Sequence, residues 1–218
     1  IQKRQDAMAK IEQPKSNGLL RSLLLLTVIL FGFWILNDQG LMQIVLKGDK
    51  SHISKAIIIL WMVTTIYWIY LSRIIYLDKS LIGNEKDFSL NLSIGKYLRD
   101  IDKGEDKDTI IRVFESEYAK KLSFGWVAAD ISLKLGLLGT VIGFILMLQP
   151  ISELNNTSPD ELKSALSSMS SGMAVALFTT LTGLVSSILI RLQFQITSSN
   201  VVTLINEITF LAEKNIER

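Results

Sequence analysis

Cysteine is absent from the 218 residues and histidine occurs once. The first absence excludes disulfides, thiolate metal sites and thiol catalysis, and says nothing about compartment. The second leaves His52 without other ligand-type side chains nearby in the sequence, so a solvated loop residue is expected there rather than a metal ligand. No glycine-rich phosphate loop follows a strand pattern, and no nucleophile elbow is present. Asp102, Glu105, Asp106 and Asp108 alternate with Lys103 and Lys107 and lack the regular spacing of a calcium loop, which makes them a solvated face. An excess of one charge is missing too: 23 Lys and Arg stand against 21 Asp and Glu, a net charge of +2 that gives no argument for nucleic acid. No enzyme, bound metal or cofactor is expected. The most informative absence is local. Residues 135–150 and 164–190 are rich in glycine and hydroxyls and contain no ionisable side chain.

What is present in quantity is apolar surface: 49% of the residues are hydrophobic and mean hydropathy is positive. Four stretches, 19–36, 53–75, 126–148 and 164–190, approach or exceed the ~20 residues that cross a bilayer core as helix. They lack the apolar/polar alternation of barrel strands, so an all-α polytopic membrane protein with four transmembrane helices is expected. The first stretch is too long for the apolar core of a signal peptide, and no small-x-small cleavage site follows it in Asn37-Asp38-Gln39-Gly40. Lys and Arg concentrate in the N-terminal arm, between the second and third stretches, and in the tail, which predicts a cytoplasmic location for both termini and the middle segment. Trp34, Trp61, Trp68, Tyr70, Tyr76 and Trp126 are candidate interface anchors, with Trp61 and Trp68 equally suited to packing.

The resulting organisation is a cytoplasmic arm (1–18), a transmembrane hairpin (19–77), a cytoplasmic helical segment (78–125), a second hairpin (126–190) and a cytoplasmic helical tail (191–218). In the middle segment Ile110, Ile111, Phe114, Tyr118 and Leu122 share one helical face; in the tail Val201, Leu204, Ile205, Ile208, Leu211 and Ala212 repeat at helical spacing. These two faces predict a small cytoplasmic helical bundle. The opening at Ile1 and the end inside a helical pattern at Glu217-Arg218 lead us to expect a piece of a longer protein.

The second hairpin carries the spacing information. Gly136, Thr140, Gly143 and Met147 succeed one another at four, three and four residues; Ser164, Ser168, Gly172, Ala176 and Thr180 step by four, followed by Gly183 and Ser187. Small residues let helix backbones approach, and Ser or Thr can bond back to the preceding turn, so close packing explains a single such motif. Two long stripes on adjacent helices leave packing and the lining of a polar path as open alternatives.

The run Leu135-Gly136-Leu137-Leu138-Gly139-Thr140-Val141-Ile142-Gly143 and the run Gly172-Met173-Ala174-Val175-Ala176-Leu177-Phe178-Thr179-Thr180-Leu181-Thr182-Gly183-Leu184 resemble the two signature helices of the MotA/TolQ/ExbB family of ion-driven stator subunits. The clear resemblance covers residues 130–193. The extra hairpin before it is similar to the MotA branch, whereas the glycine-threonine wording of the third helix is similar to TolQ and ExbB. The resemblance implies a ring, a pentamer in the family, around a dimer of a single-span MotB/TolR/ExbD-like partner whose aspartate sits in the membrane. It implies an ion path past Thr140 and Thr180, with Thr179, Thr182 and Ser187 completing the hydroxyl set. Gly136, Gly139, Gly143, Gly172, Ala176 and Gly183 would hold the helices close. The transported species would be a proton or a sodium ion, the location the bacterial inner membrane, and the output rotation or other mechanical work. Val175 stands where TolQ and ExbB carry an acid, leaving the wall without its own proton acceptor. Lys134 stands where many members have an apolar residue or proline, and is expected to pair with Asp130 at the cytoplasmic end. A non-conducting oligomeric scaffold or sensor remains the alternative; a transporter has less support, because no inverted repeat is visible.

Overall fold

A computed structural model describes residues 18–49, 51–82, 107–152 and 158–214. Five helices and no strand occupy the described residues: α1 (Gly18–Asp38), α2 (Leu41–Gly48), α3 (Ile53–Ile82), α4 (Lys107–Ser152) and α5 (Pro159–Lys214). Residues 1–17, residues 83–106 with Asp102, Glu105 and Asp106 of the acidic cluster, and the middle of the α4–α5 connection lie outside the described residues, while Asp108 falls in the first turn of α4. Three helices contain stretches long and apolar enough to cross a membrane, Ile53–Leu77, Ile111–Ser152 and Pro159–Asn206; α1 contributes a shorter apolar stretch, Ser22–Ile35.

The two long helices are continuous across the boundaries expected at 125/126 and 190/191: α4 has 46 residues and α5 has 56. Hydropathy changes along them, but backbone hydrogen bonding is indifferent to the solvent around it. Nothing between Lys107 and Gln149 removes an amide or forces a turn. Pro150 enters only near the end of α4, which stops two residues later.

Contacts along the helices fix their directions. We call the end bearing the α4–α5 connection the upper end. Gly136, Gly139, Gly143 and Met147 of α4 meet Gly183, Thr179, Ala176 and Gly172 of α5, so this pair is antiparallel. The α3 helix instead runs parallel to α5. Gly48, just before it, lies against Phe178; Thr65 and Trp68 reach Gln193, and Ser72 reaches Thr197. Thus α3 starts level with Phe178 and descends, while α5 continues above that level for 19 residues back to Pro159, about 28 Å at 1.5 Å per residue.

The principal core lies in the lower half, where Trp68, Leu71 and Ile75 of α3 join Phe114, Tyr118 and Leu122 of α4 and Ile190, Phe194, Val201, Leu204 and Ile208 of α5. The apolar faces of the middle segment and the tail therefore pack together, with α3 as a third member. The side chains of Ile110, Leu211 and Ala212 lie outside the described residues. Polar groups inside this core are connected. The Trp68 indole donates to the Gln193 carbonyl and to the Thr197 hydroxyl, both at 2.7 Å, and the Gln193 amide donates to Thr65 Oγ1 at 3.3 Å. Trp68 is thus a packing residue, whereas Trp34 and Tyr70 are exposed.

The α2–α3 turn is held by Asp49. Its carboxylate accepts the Ser51 and Ser54 backbone N–H groups at 2.9 and 2.6 Å, closing the turn and satisfying one of the free amides at the start of α3. Burial by itself would raise the Asp49 pKa; hydrogen bonds from Ser51 and Ser54 outweigh it and hold the carboxyl below its usual range. His52 is exposed, in the left-handed region at φ 63°.

Candidate functional site

Between Leu135 and Ser152 of α4 and between Ser164 and Ile190 of α5, no side chain is ionisable, and contact is made through backbone and small side chains. The buried seam follows 125, 129, 132, 136, 139 and 143 on α4, and 172, 176, 179, 183, 186 and 190 on α5. Steps of four and three alternate, as they must for positions to stay on one side of a 3.6-residue helix over several turns. Uniform steps of four drift by about 40° each. For that reason Ser164 and Ser168 at the upper end of the expected stripe are exposed, while Ser186, absent from it, is buried.

Glycine is required where the two backbones touch. A Cβ on Gly143 would lie 2.5 Å from the Ala176 amide nitrogen, and one on Gly172 would lie 2.5 Å from that of Met147. Gly136 and Gly183 face each other, a Cβ on the second coming 2.8 Å from the Cα of the first. Gly139 makes room for Thr179, whose side chain would collide with any Cβ there. The six expected packing positions, Gly136, Gly139, Gly143, Gly172, Ala176 and Gly183, all lie in this seam.

The five hydroxyl candidates separate into two groups. Thr179 and Ser187 are buried, the first wedged against Gly139 with its hydroxyl donated to the carbonyls of Val175 and Ala176 at 2.8 and 3.1 Å. Thr140, Thr180 and Thr182 are half-buried at the shoulders of the seam. Thr182 donates to the Phe178 carbonyl and Thr140 to the Leu137 carbonyl. Thr180 donates to the Ala176 carbonyl at 3.0 Å and stands 3.5 Å from the carbonyl of Gly136. That carbonyl is the regular helical acceptor for the Thr140 amide, so Thr140 and Thr180 flank the same peptide group from two helices.

This arrangement has a definite chemical polarity. Each threonine spends its one O–H proton on a carbonyl of its own helix, leaving the hydroxyl oxygen with an uncommitted lone pair. The shoulder is thus built to accept a hydrogen bond or to help coordinate a cation, and not to ionise. The nearest charges stand at the lower end: Lys134 Nζ lies 2.7 Å from Asp130 Oδ2, and Arg191 reaches Asp130 Oδ1 at 3.8 Å. In the sequence Arg191 counts only as one of the tail's basic residues, which bear on orientation. Its position is the i+1 neighbour of the buried Ile190, which places it beside the seam. No cluster of three or more metal-ligating side chains occurs among the described residues.

The sequence model of the MotA/TolQ/ExbB proton channel family matches residues 88–209, more than half of the chain. No curated protein and no solved structure is detectably similar.

Proposed function

Because the chain belongs to the MotA/TolQ/ExbB proton channel family, we propose that it is the ring-forming subunit of an ion-driven stator, conducting protons or sodium ions where it meets a single-span partner. The observation that carries this reading is a seam whose shoulder presents hydroxyl oxygens as acceptors, at Thr140 and Thr180, with no titratable group of its own. An ion leaving water needs its hydration replaced, and a carboxylate flanked by hydroxyls and carbonyls does so. This chain supplies the neutral half of such a site. The partner supplies the carboxylate from a membrane aspartate, and each ring subunit offers the same pair of threonines in turn.

In this reading α1 is a fourth span, the upper end faces away from the cytoplasm, and the paired faces Phe114–Leu122 of α4 and Val201–Ile208 of α5 form the cytoplasmic bundle of an inner-membrane protein. The basic residues set that orientation. Moving one charge through ~100 mV releases about 2.3 kcal/mol, enough to bias a ring of equivalent packed states from one to the next. Homo-oligomer and partner dimer together give the rotor-and-ring geometry, with five subunits as the family's number.

A carbodiimide that modifies carboxyls within membranes tests the assignment of the titrating group. Treatment of the complex is expected to stop ion flux and to label the partner's aspartate. Labelling confined to this chain, at Asp130 for example, together with loss of flux, contradicts the reading. A non-conducting scaffold instead predicts that no single-span, aspartate-bearing subunit co-purifies.

A further inference from the structure

Contacts of α3 set the depth of the charged cluster at the foot of the uncharged stretches. Tyr67 donates to the Lys121 carbonyl and lies edge-on to the Phe124 ring, and the Trp68 indole donates to the Gln193 carbonyl. Asp130 stands six residues above Phe124 and Arg191 two above Gln193, about 9 and 3 Å along the helices; Lys134 brings its ammonium to Asp130 at 2.7 Å. That height falls inside the apolar stretch Ile53–Leu77 of α3, and there Met62, Val63 and Ile66, one to five residues above Tyr67, are exposed. Three charged side chains thus share a level with an exposed apolar surface.

The two surfaces lie on different sides of the bundle. Gly48 meets Phe178 and Trp68 meets Gln193; Thr180 and Arg191 are each two residues from those contacts on α5, a turn of about 200°. Thr180 and Arg191 are eleven residues apart, about three turns, so the hydroxyl shoulder and the cluster occupy one face, with Ser187 between them. Asp130 faces Lys134 and Arg191 at 2.7 and 3.8 Å, which leaves one positive charge in excess, and all three side chains are about half exposed or more. Charge at the depth of an apolar span faces a protein interior or a water-filled cavity and not lipid. A dry contact would leave the excess charge unsolvated. We propose that this face turns away from lipid, and that Asp130, Lys134 and Arg191 line a water-filled vestibule, enclosed by further copies of the chain, which continues the ion path from Thr140 and Thr180 to the cytoplasm. Water solvates the excess charge, and Asp130 is the carboxylate that an ion leaving the hydroxyl shoulder meets next. The proposal rests on the ring reading given above.

Because the chain has no cysteine, single replacements report without background from it. The test uses the full chain with its co-purified partner in inverted membrane vesicles, treated from the cytoplasmic side with a charged, membrane-impermeant methanethiosulfonate and read by the mass of this chain. Lys134→Cys and Arg191→Cys, each leaving Asp130 one cation, are expected to react about a hundredfold faster than Val63→Cys and Ile66→Cys, the penalty that hydrocarbon sets on a charged reagent. Leu137→Cys keeps every charge and lies on the stripe of Asp130, seven residues above it; its modification is expected to block ion flux. Rates at 134 and 191 as slow as at 63 and 66 mean lipid or a dry interface and overturn the proposal. Rates at 63 and 66 as fast as at 134 put the whole level in the cytoplasm and overturn it too, as does modification at 137 that leaves flux intact. The thiol rates are read without flux, so a complex that carries no flux defeats the stator reading while the rates still decide whether the face is wet.

Discussion

The same two helices pack in two different ways. In the upper half, α4 and α5 meet through glycine, alanine and threonine, backbone against backbone, with hydroxyls turned onto their own carbonyls. In the lower half they are held apart by Phe114, Tyr118, Phe194 and Leu204, with α3 inserted beside them and Trp68 tied to Gln193 and Thr197. Burying large side chains stabilises the lower half. Close approach leaves the upper half thin and able to present polar atoms at its shoulders. The difference teaches how one helix pair can be clamped at one end and offer a polar, hydroxyl-bearing surface at the other. Gly125 shows the two modes meeting: a single glycine in the lower half makes room for the Phe194 ring.

Substitutions break this comparison to different degrees. Phe194→Ala empties a fully buried site in the clamp and is expected to cost about 3–5 kcal/mol, read as a fall in thermal midpoint in detergent. Gly172→Ala sets a methyl against the backbone of Met147, which cannot rotate away; overpacking of about 1–3 kcal/mol is expected, with the upper helices forced apart while the lower core keeps its protection from hydrogen exchange. Trp68→Phe keeps a six-membered aromatic ring but deletes the pyrrole half and with it the donor shared by Gln193 and Thr197, an expected loss of about 1–2 kcal/mol by denaturant titration, confined to the α3–α5 contact. The smallest effect belongs to the α2–α3 turn. Because the folded Asp49 pKa is depressed below 3.8, its contribution is full above that value and is lost as pH falls through the lower folded pKa. Exchange at the Ser54 amide is expected to rise in Asp49→Ala at neutral pH, and in the wild type only below about pH 4.

The apolar stretches, the glycine-threonine motifs and the family are legible in the sequence because each is local. The continuity of α4 and α5 is not, since hydropathy marks a change of solvent and not the end of a helix. The stripe of uniform steps passes through Thr140 and Thr180, whereas the buried positions are their neighbours Gly139 and Thr179. Steps of four look periodic over a short run, and only the alternation of four and three keeps to one face. That shift moves Thr140 and Thr180 from the seam to its shoulders, where a partner can reach them. The polar ties of α3 were invisible because Thr65, Trp68, Gln193 and Thr197 are far apart in sequence and belong to no motif. That α3 joins α4 and α5 in the core is a property of the fold, and no spacing rule encodes it.

The central claim is that the shoulder of the upper seam handles ions and the lower clamp only holds the helices. Ion flux into proteoliposomes carrying the chain with its partner, normalised to assembled complex, separates the two. Thr140→Val with Thr180→Val is expected to preserve assembly and abolish flux, while Thr65→Val with Thr197→Val weakens the clamp and leaves flux per assembled complex unchanged. Undiminished flux in the upper pair, or its loss in the lower pair alone, would contradict the account.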